Sequence, residues 1–321
     1  MRRANTDRPA SAIRVDHLVK VYAGRRGRPG VRAVDGMCFE VARGQIFGLL
    51  GPNGAGKTTI LKILTTLLAP TSGRAEVLGH NVVIEPLAVR RAISIVLQET
   101  AIELFLSVHD NLVTFGKFHG LDHAKAQRRA GEVIEKFYLT EYSGQKTQDL
   151  SGGLRRRVQV AKMFIVPTPV MFLDEFSTGM DPILKRTVMG YLREEAASGR
   201  TIVLTTQVMS EAEELCDDIL IMHRGRSIAQ GDLNKLKLLA KDVYDVTLTF
   251  ETIPLGLAEA LDALKPQRLQ IDHGTVEMTL KAHEREVLET IAGLAARARL
   301  LHVEVSGASL EDIFVELTKE T

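Results

Sequence analysis

Apolar and polar residues alternate along Ile13-Arg14-Val15-Asp16-His17-Leu18-Val19-Lys20-Val21-Tyr22, the period of a strand with one buried face. The residues before it, 1 to about 12, read as a disordered tail. Gly24-Arg25-Arg26-Gly27-Arg28-Pro29-Gly30 breaks the pattern as a loop, and Val31 to Val41 resumes it. Arg43-Gly44 turns into the apolar Gln45 to Leu50. Thr58 to Leu68 then takes helical spacing through Ile60, Leu61, Ile63, Leu64, Leu67 and Leu68.

From about residue 99 to 165 helical patterns dominate: Val108 to His119, Ala124 to Tyr138 and Ser151 to Ile165. That stretch predicts a helical insertion into an α/β core. Val170 to Leu173 is fully apolar, as a parallel strand buried on both faces should be. Pro182 to Ser198 reads as a helix and Thr201 to Thr206 as the next strand. Ile219 to Met222 and Ser227 to Ala229 form a closing hairpin around Arg224-Gly225. The period changes after about Ala240. Val243 to Phe250, a helix Leu255 to Leu264, a hairpin of Arg268 to Ile271 with Thr275 to Leu280, a helix Glu284 to Ala296 and a strand Leu300 to Val305 give β-α-β-β-α-β, the order of a ferredoxin-like unit. Ser309-Leu310-Glu311-Asp312 caps a last amphipathic helix.

Composition narrows the classes. The chain has 321 residues, enough for two domains. Lys+Arg 41 against Asp+Glu 40 leaves a net charge of +1, which offers no basic face for nucleic acid. No apolar run approaches the roughly 18 residues of a membrane span, and the polar N-terminus lacks a signal-peptide core. The expectation is a cytosolic chain. Cys38 and Cys216 are isolated and read as small buried hydrophobes rather than a disulfide. His119 and His123 are four apart with Gly120 between them, which favours a solvated turn over a metal pair.

The chemistry concentrates in three places. Gly51-Pro52-Asn53-Gly54-Ala55-Gly56-Lys57-Thr58 satisfies G-x-x-x-x-G-K-[ST], follows an apolar strand and opens a helix. Gly51, Gly54 and Gly56 let backbone N–H groups converge on anionic oxygens, and the helix start adds its positive dipole end. Lys57 supplies a charge for β- and γ-phosphates and Thr58 a hydroxyl for Mg²⁺. Asn53 and Thr59 complete the phosphate-binding set. Asp174 ends the apolar strand as the Mg²⁺ partner, and Glu175 is placed to activate the attacking water. Between these two stretches lies Leu150-Ser151-Gly152-Gly153.

A phosphate loop, then LSGG, then an acidic strand end resembles the ATP-binding-cassette (ABC) ATPases. The resemblance covers about residues 13–236 as a P-loop cassette with a helical subdomain at about 99–165, and 240–321 as an α+β accessory domain of the kind appended to type-2 exporter ATPases. It implies that Ser151, Gly152 and Gly153 close over the ATP held by a second chain, in a homodimer or heterodimer. Gln98, at the end of Ile93 to Gln98, would sense the γ-phosphate and the metal. Tyr22 would stack on adenine; read alone it is a half-buried strand aromatic. Ser177 to Asp181 matches the loop linking the two sites, with Asp181 as its carboxylate. Leu106 to Leu112 looks like the segment that receives a transporter's coupling helix.

Two departures stand out. Leu154 stands where the family signature usually ends in Gln or Met, without removing an ATP-facing group. Thr205-Thr206-Gln207 carries Gln where most of the family has His; an amide also donates but cannot be charged. Drug-resistance ATPases of the daunorubicin-exporter type resemble this chain there and at Arg155-Arg156-Arg157. Phe176-Ser177 replaces the commoner Pro-Thr. The resemblance implies an ATPase subunit on the cytoplasmic face of the membrane, driving export of a drug, lipid or polysaccharide through a separate permease. The alternatives are a regulatory cassette with weak hydrolysis and a non-transport ABC ATPase.

Overall fold

The computed structural model describes residues 11–24, 30–96, 102–239, 243–252, 257, 261, 264–296 and 298–319. It divides into two compact units, Met1–Gln230 and Gly231–Thr321. Residues 1–10 of the expected tail lie outside the described residues, but its last two do not. Strand β1 (Ser11–Tyr22) begins with Ser11 paired to Ala42 of β2 (Val31–Ala42), and Ala12 is fully buried. The spacing of three between Val15 and Leu18 cannot fit a regular strand with both inside. The strand solves this with a bulge at His17, whose φ is 46°, and Leu18 turns inward.

In chain order follow β3 (Ile46–Leu50), α1 (Lys57–Leu64), β4 (Ser72–Val77), β5 (His80–Asn81), α2 (Pro86–Ala92) and β6 (Ile93–Val96). Next come α3 (Val108–Phe118), α4 (His123–Lys136), α5 (Gly152–Lys162), β7 (Val170–Asp174) and α6 (Pro182–Ala197). The unit ends with β8 (Thr201–Thr206), α7 (Met209–Leu215), β9 (Asp218–His223) and β10 (Arg226–Gly231). Two sheets result: a six-stranded sheet in the order β10-β9-β3-β8-β7-β6, and a four-stranded antiparallel sheet in the order β2-β1-β4-β5.

Strand periodicity builds a core on each side of the larger sheet. Phe47, Leu49, Phe172 and Val203 face one cluster with α1 and the antiparallel sheet. Ile46, Met171, Leu173, Ile202 and Leu204 face the other, with α3 to α6. Both clusters are dry, which is why β3, β7 and β8 carry almost no polar residue until their C-terminal ends. Ser107, Asp122, Ser151 and Asp181 each cap the helix that follows by accepting a backbone N–H with the side chain, worth roughly 1 kcal/mol apiece. No described helix is long and apolar enough to cross a membrane.

Two smaller expectations are corrected. Cys38 is exposed, because β2 alternates there and turns Met37, Phe39 and Val41 inward; the His17 N–H donates to its sulfur at 3.1 Å. Cys216 is half-buried, with its thiol pushed far up by burial. His119 is not simply solvated: its ring lies 4.5 Å from that of Phe115, and burial pulls its pKa down.

The second unit holds α8 (Leu233–Lys237), β11 (Val243–Phe250), β12 (Arg268–Asp272), β13 (Thr275–Lys281), α9 (Glu284–Ala295), β14 (Leu300–Gly307) and α10 (Leu310–Lys319). Leu257 and Leu261, from the helix expected after β11, are helical and buried. The sheet order β12-β13-β11-β14 is the antiparallel order of a ferredoxin-like unit, with Leu257, Leu261, Val287 and Leu294 packed on Val246, Leu248 and Phe250. Ser309 and Asp312 cap α10 reciprocally: the Asp312 N–H donates to Ser309 Oγ at 3.2 Å and the Ser309 N–H to Asp312 Oδ2 at 3.0 Å.

Asp245 in β11 lies beside that cap and accepts from Thr279 Oγ1 at 2.6 Å. Burial pushes its carboxyl up to about 6; the Thr279 hydrogen bond opposes this, and the neighbouring Asp312 carboxyl adds to it. A carboxyl raised on folding contributes stability below its unfolded pKa of about 4 and loses it as the pH climbs through the folded value. Asp245→Asn should therefore raise the melting temperature of this unit at pH 8 and give a smaller gain at pH 5. An equal gain at both would remove Asp245 from that role.

Candidate nucleotide site

The C-terminal ends of β3, β8 and β7 lie side by side because the three strands are parallel and in register: Leu50 pairs with Thr206, and Asp174 with Thr205. Loops leaving that edge of a parallel sheet form the crevice in which α/β folds bind ligands. The loop from Gly51 to Gly56 leaves β3 here. Gly56 caps α1 at φ 104°, and a Cβ there would lie 2.2 Å from the carbonyl oxygen of Ala33. No residue but glycine closes the loop this way. Gly54 also takes a left-handed φ of 81°, and Asn53 is exposed at the turn.

Lys57 is 5% exposed. Its Nζ donates to the carbonyls of Gly51 at 2.6 Å and Pro52 at 3.1 Å, folding over the loop it belongs to. Burial lowers its pKa, while the charges of Glu175 and Asp174 hold it up. Asp174 is 1% exposed. Its Oδ1 accepts from Thr58 Oγ1 at 3.3 Å and from Thr205 Oγ1. Its Oδ2 is buried and has no hydrogen-bond partner. An orphaned carboxylate oxygen beside a threonine hydroxyl and the phosphate loop is a donor set that fits a hard divalent cation.

Glu175 follows with φ 46°, a strained conformation for a non-glycine residue. It is held by its own N–H, which donates to Thr205 O at 3.1 Å, and by its carbonyl, which accepts from Arg156 at 2.6 Å. Arg156, on α5, is 8% exposed. Its guanidinium also donates to the carbonyls of Asp174 at 3.0 Å and Phe176 at 3.1 Å, and to Gln159 Oε1 at 3.0 Å. The signature helix thus clamps the backbone that presents both carboxylates. Sequence reasoning missed this role: an arginine in a run of three on a helix ordinarily signals a solvated face. Phe176 also gains a physical account, since its ring is fully buried against the helical core.

Gln207 is exposed one residue past β8, two positions beyond the register partner of Asp174. Gln98 lies outside the described residues. Tyr22 is 41% exposed; its hydroxyl sits 3.4 Å from Thr59 Oγ1, so the ring stands at the start of α1. Ser151, Gly152 and Gly153 are all exposed, with Ser151 Oγ accepting from the Leu154 N–H at 3.3 Å. Asp181 caps α6 and lies 3.6 Å from Arg157. Among the described residues, no hydrogen bond joins Ser151, Gly152 or Gly153 to residues 51–59. The structure therefore brings Lys57, Thr58, Asp174 and Glu175 together and leaves the signature facing solvent.

Comparison with known proteins agrees with this geometry. Residues 34–178 match the ABC transporter family. A daunorubicin resistance ATP-binding protein of Streptomyces coeruleorubidus is 37% identical over 96% of this chain and 96% of its own length. Nod factor export ATP-binding protein I of Paraburkholderia xenovorans is 33% identical over 97% of this chain and 98% of its own. Among solved structures, an ATP-binding subunit of an ABC transporter superposes with a TM-score of 0.65 at 26% identity, covering 71% of this chain and 92% of that one. A dimeric cassette in a post-hydrolysis state with ADP and phosphate has the same fold, with a TM-score of 0.64 over 69% of this chain and 98% of that one. The chain belongs to the ABC transporter ATP-binding family. It is an ATP-binding ABC ATPase whose chain continues, after the cassette in sequence, into a second, α+β unit.

The Arg156 clamp makes a specific expectation. Arg156→Met keeps the length and removes the donors, leaving three carbonyls to find new partners at about 1–3 kcal/mol each where they stay buried. Denaturant unfolding should show a loss of at least about 2 kcal/mol, and ATPase activity should fall in the refolded protein. Arg156→Lys, which keeps one donor group, should recover part of both. Unchanged stability and turnover in the Met variant would show that the clamp is dispensable.

Proposed function

We propose that this chain is the ATP-hydrolysing subunit of an exporter, working as a head-to-tail pair beneath a separate transmembrane permease on the cytoplasmic side of the membrane. The observation that carries the reading is the cluster of Lys57, Thr58, Asp174 and Glu175, with one oxygen of Asp174 unpartnered, set apart from an exposed Ser151-Gly152-Gly153. A cluster that can hold triphosphate and an exposed signature on the same chain are two half-sites, and a second chain completes each.

Each residue has a defined task. Backbone N–H groups of Gly51, Asn53, Gly54, Gly56 and Thr59 cradle the phosphates, and Lys57 swings from its carbonyl partners to the β- and γ-oxygens. Thr58 and Asp174, with Gln98, are the ligands that would hold Mg²⁺. Bound there, the ion would neutralise charge on the phosphate oxygens. Glu175 takes the proton of the attacking water, with its carboxylate aimed by the strained backbone and the Arg156 clamp. The exposed Gln207 amide donates to the γ-phosphate. Tyr22 stacks on adenine. From the second chain, Ser151 and the amides of Gly152 and Gly153 close over the γ-phosphate, and Asp181 couples the two sites through Arg157.

The cargo belongs to the drug class among drug, lipid and polysaccharide substrates. Support comes from relatives named for resistance to daunorubicin, doxorubicin and linearmycin, matched over nearly the whole chain. The direction of transport, export, is supported by other relatives, named Nod factor export ATP-binding protein I.

Glu175→Gln tests the core of this reading. ATP binding should persist, hydrolysis should slow by roughly 10²–10⁴, and an ATP-bound dimer should accumulate in gel filtration. Turnover within a factor of about two of wild type would take Glu175 out of the base role.

A further inference from the structure

The second unit has an open edge. Its sheet order β12-β13-β11-β14 leaves β14 paired on one side only among the described residues. Hydrogen-bond parity says which groups are free. Val243 O accepts from the Ala308 N–H at 3.1 Å, and Asp245, Thr247 and Thr249 pair with Ser306, Glu304 and His302. In an antiparallel strand, alternate residues turn both backbone groups to the same side. His302, Glu304 and Ser306 therefore bond inward to β11, and the N–H and C=O groups of Val303 and Val305 point out of the sheet; Leu301 is the extra residue of a bulge, where the register shifts between the Thr249–His302 and Phe250–Leu300 pairs. The even-numbered residues of β11 bond the other way, to β13, as the Phe250 N–H does to Gly274 O at 2.8 Å.

The side chains on this edge are unusual for a solvent-facing strand. Val303 lies opposite Leu248 and Val305 opposite Val246, both fully buried or nearly so, on the face that carries the core. Yet Leu301, Val303 and Val305 are 59%, 44% and 40% exposed. The core is thus open along β14. Edge strands in stable monomers are ordinarily blunted by lysines, proline, bulges or a covering element; the bulge at Leu301 lies at one end of this edge, and from His302 to Ser306 the pairing with β11 is regular. Here the sequence Leu301-His302-Val303-Glu304-Val305 offers one base and one acid, two apart, either side of a central valine.

We infer that β14 pairs antiparallel with β14 of a second copy of this chain, about a two-fold axis at Val303, joining two four-stranded sheets into one of eight strands. The charge pattern selects this register. Centred on Val303, His302 faces Glu304 of the other copy twice, and Leu301 faces Val305. Shifting the centre one residue along would set Glu304 against Glu304, and the reverse shift would set His302 against His302. Like charges directly opposite are destabilising, and opposite ones contribute. The parity also agrees. Val303 becomes a hydrogen-bonded pair that uses the free edge groups. His302 and Glu304 become a non-hydrogen-bonded pair, in which opposed side chains are closest. Within one chain the two already lie on one face, with His302 Nε2 3.7 Å from Glu304 Oε2. The interface is isologous, so it closes at two copies and leaves no new edge. It involves no nucleotide and is separate from the ATP-dependent contact proposed for the cassettes.

The test uses full-length chains in a Cys38→Ser background, without ATP and with EDTA, so that cassette closure plays no part. His302→Cys chains are mixed with Glu304→Cys chains carrying a different tag and oxidised mildly. A non-hydrogen-bonded antiparallel pair has a Cα separation of about 4.5 Å, within reach of a disulfide. The expected product is a crosslink between the two differently tagged chains, in large excess over either like-with-like product. Dominant like-with-like crosslinks, or none at all, would overturn the register. A second measurement is independent of thiol chemistry. His302→Glu chains and His302→Lys/Glu304→Lys chains should each self-associate roughly tenfold or more weakly than wild type in analytical ultracentrifugation, while their equimolar mixture regains a heterodimer. A mixture as weak as its parts, or single variants as associated as wild type, would overturn the pairing of β14 with its copy. Neither result bears on the ATP-trapped dimer expected of Glu175→Gln, so the two proposals fail separately.

Discussion

The burial of one carboxylate organises this cassette. Asp174 ends a strand packed on both faces, is 1% exposed, and has one oxygen with no partner. An ionised carboxylate in such a place costs several kcal/mol unless other groups offset it. Two hydroxyls, from Thr58 and Thr205, serve one oxygen, and the charge of Lys57 lies close by. The second oxygen is the one that the proposed Mg²⁺ would take. The parallel register of β3, β8 and β7 sets Asp174 beside the phosphate loop, and Arg156 fixes the backbone from behind. Without the two dry cores on either side of the sheet, neither the strand ends nor the loop would hold position.

The same arrangement links α5 to the chemistry. The helix begins after an exposed Ser151, which caps it, and further along inserts Arg156 under Asp174, Glu175 and Phe176. Arg157 lies within 3.6 Å of Asp181 at the start of α6. One rigid helix therefore touches the carboxylate strand, the loop to α6 and the signature surface. A contact made by the signature with another chain is mechanically connected to the carboxylates of its own chain by packed groups, which is the physical requirement for coupling two sites.

Much of this was legible in the sequence because the physics is local there. Val170 to Leu173 reads as a strand buried on both faces, and the structure buries all of it; the glycine loop stands between a strand and a helix, as its motif expects. The change of period after Ala240 marked the second unit, and the structure divides the chain nearby, at Gly231. Other features depend on non-local contacts and left no local signal. The segment with β4, β5 and α2 went unread, since Ser72 to Val77 buries only alternate small or branched residues against β1 and β5 spans two residues. The bulge at His17 and the left-handed Glu175 are set by tertiary hydrogen bonds. The Arg156 clamp leaves no such signal either, because its acceptors are backbone carbonyls, which no side-chain pattern announces.

The most direct measurement concerns the unpartnered oxygen of Asp174. Melting of wild type and Asp174→Asn would be compared without nucleotide, with ATP and EDTA, and with ATP and Mg²⁺. Saturating ligand at about 100 times its Kd stabilises a protein by about 2.7 kcal/mol. The account expects Asp174→Asn to melt at or above wild type when free of nucleotide, because a buried charge is removed. It expects the added stabilisation from Mg²⁺ over EDTA, present in wild type, to be lost in the variant. The same Mg²⁺-dependent stabilisation in both proteins would contradict the claim that this carboxylate is buried to hold a cation.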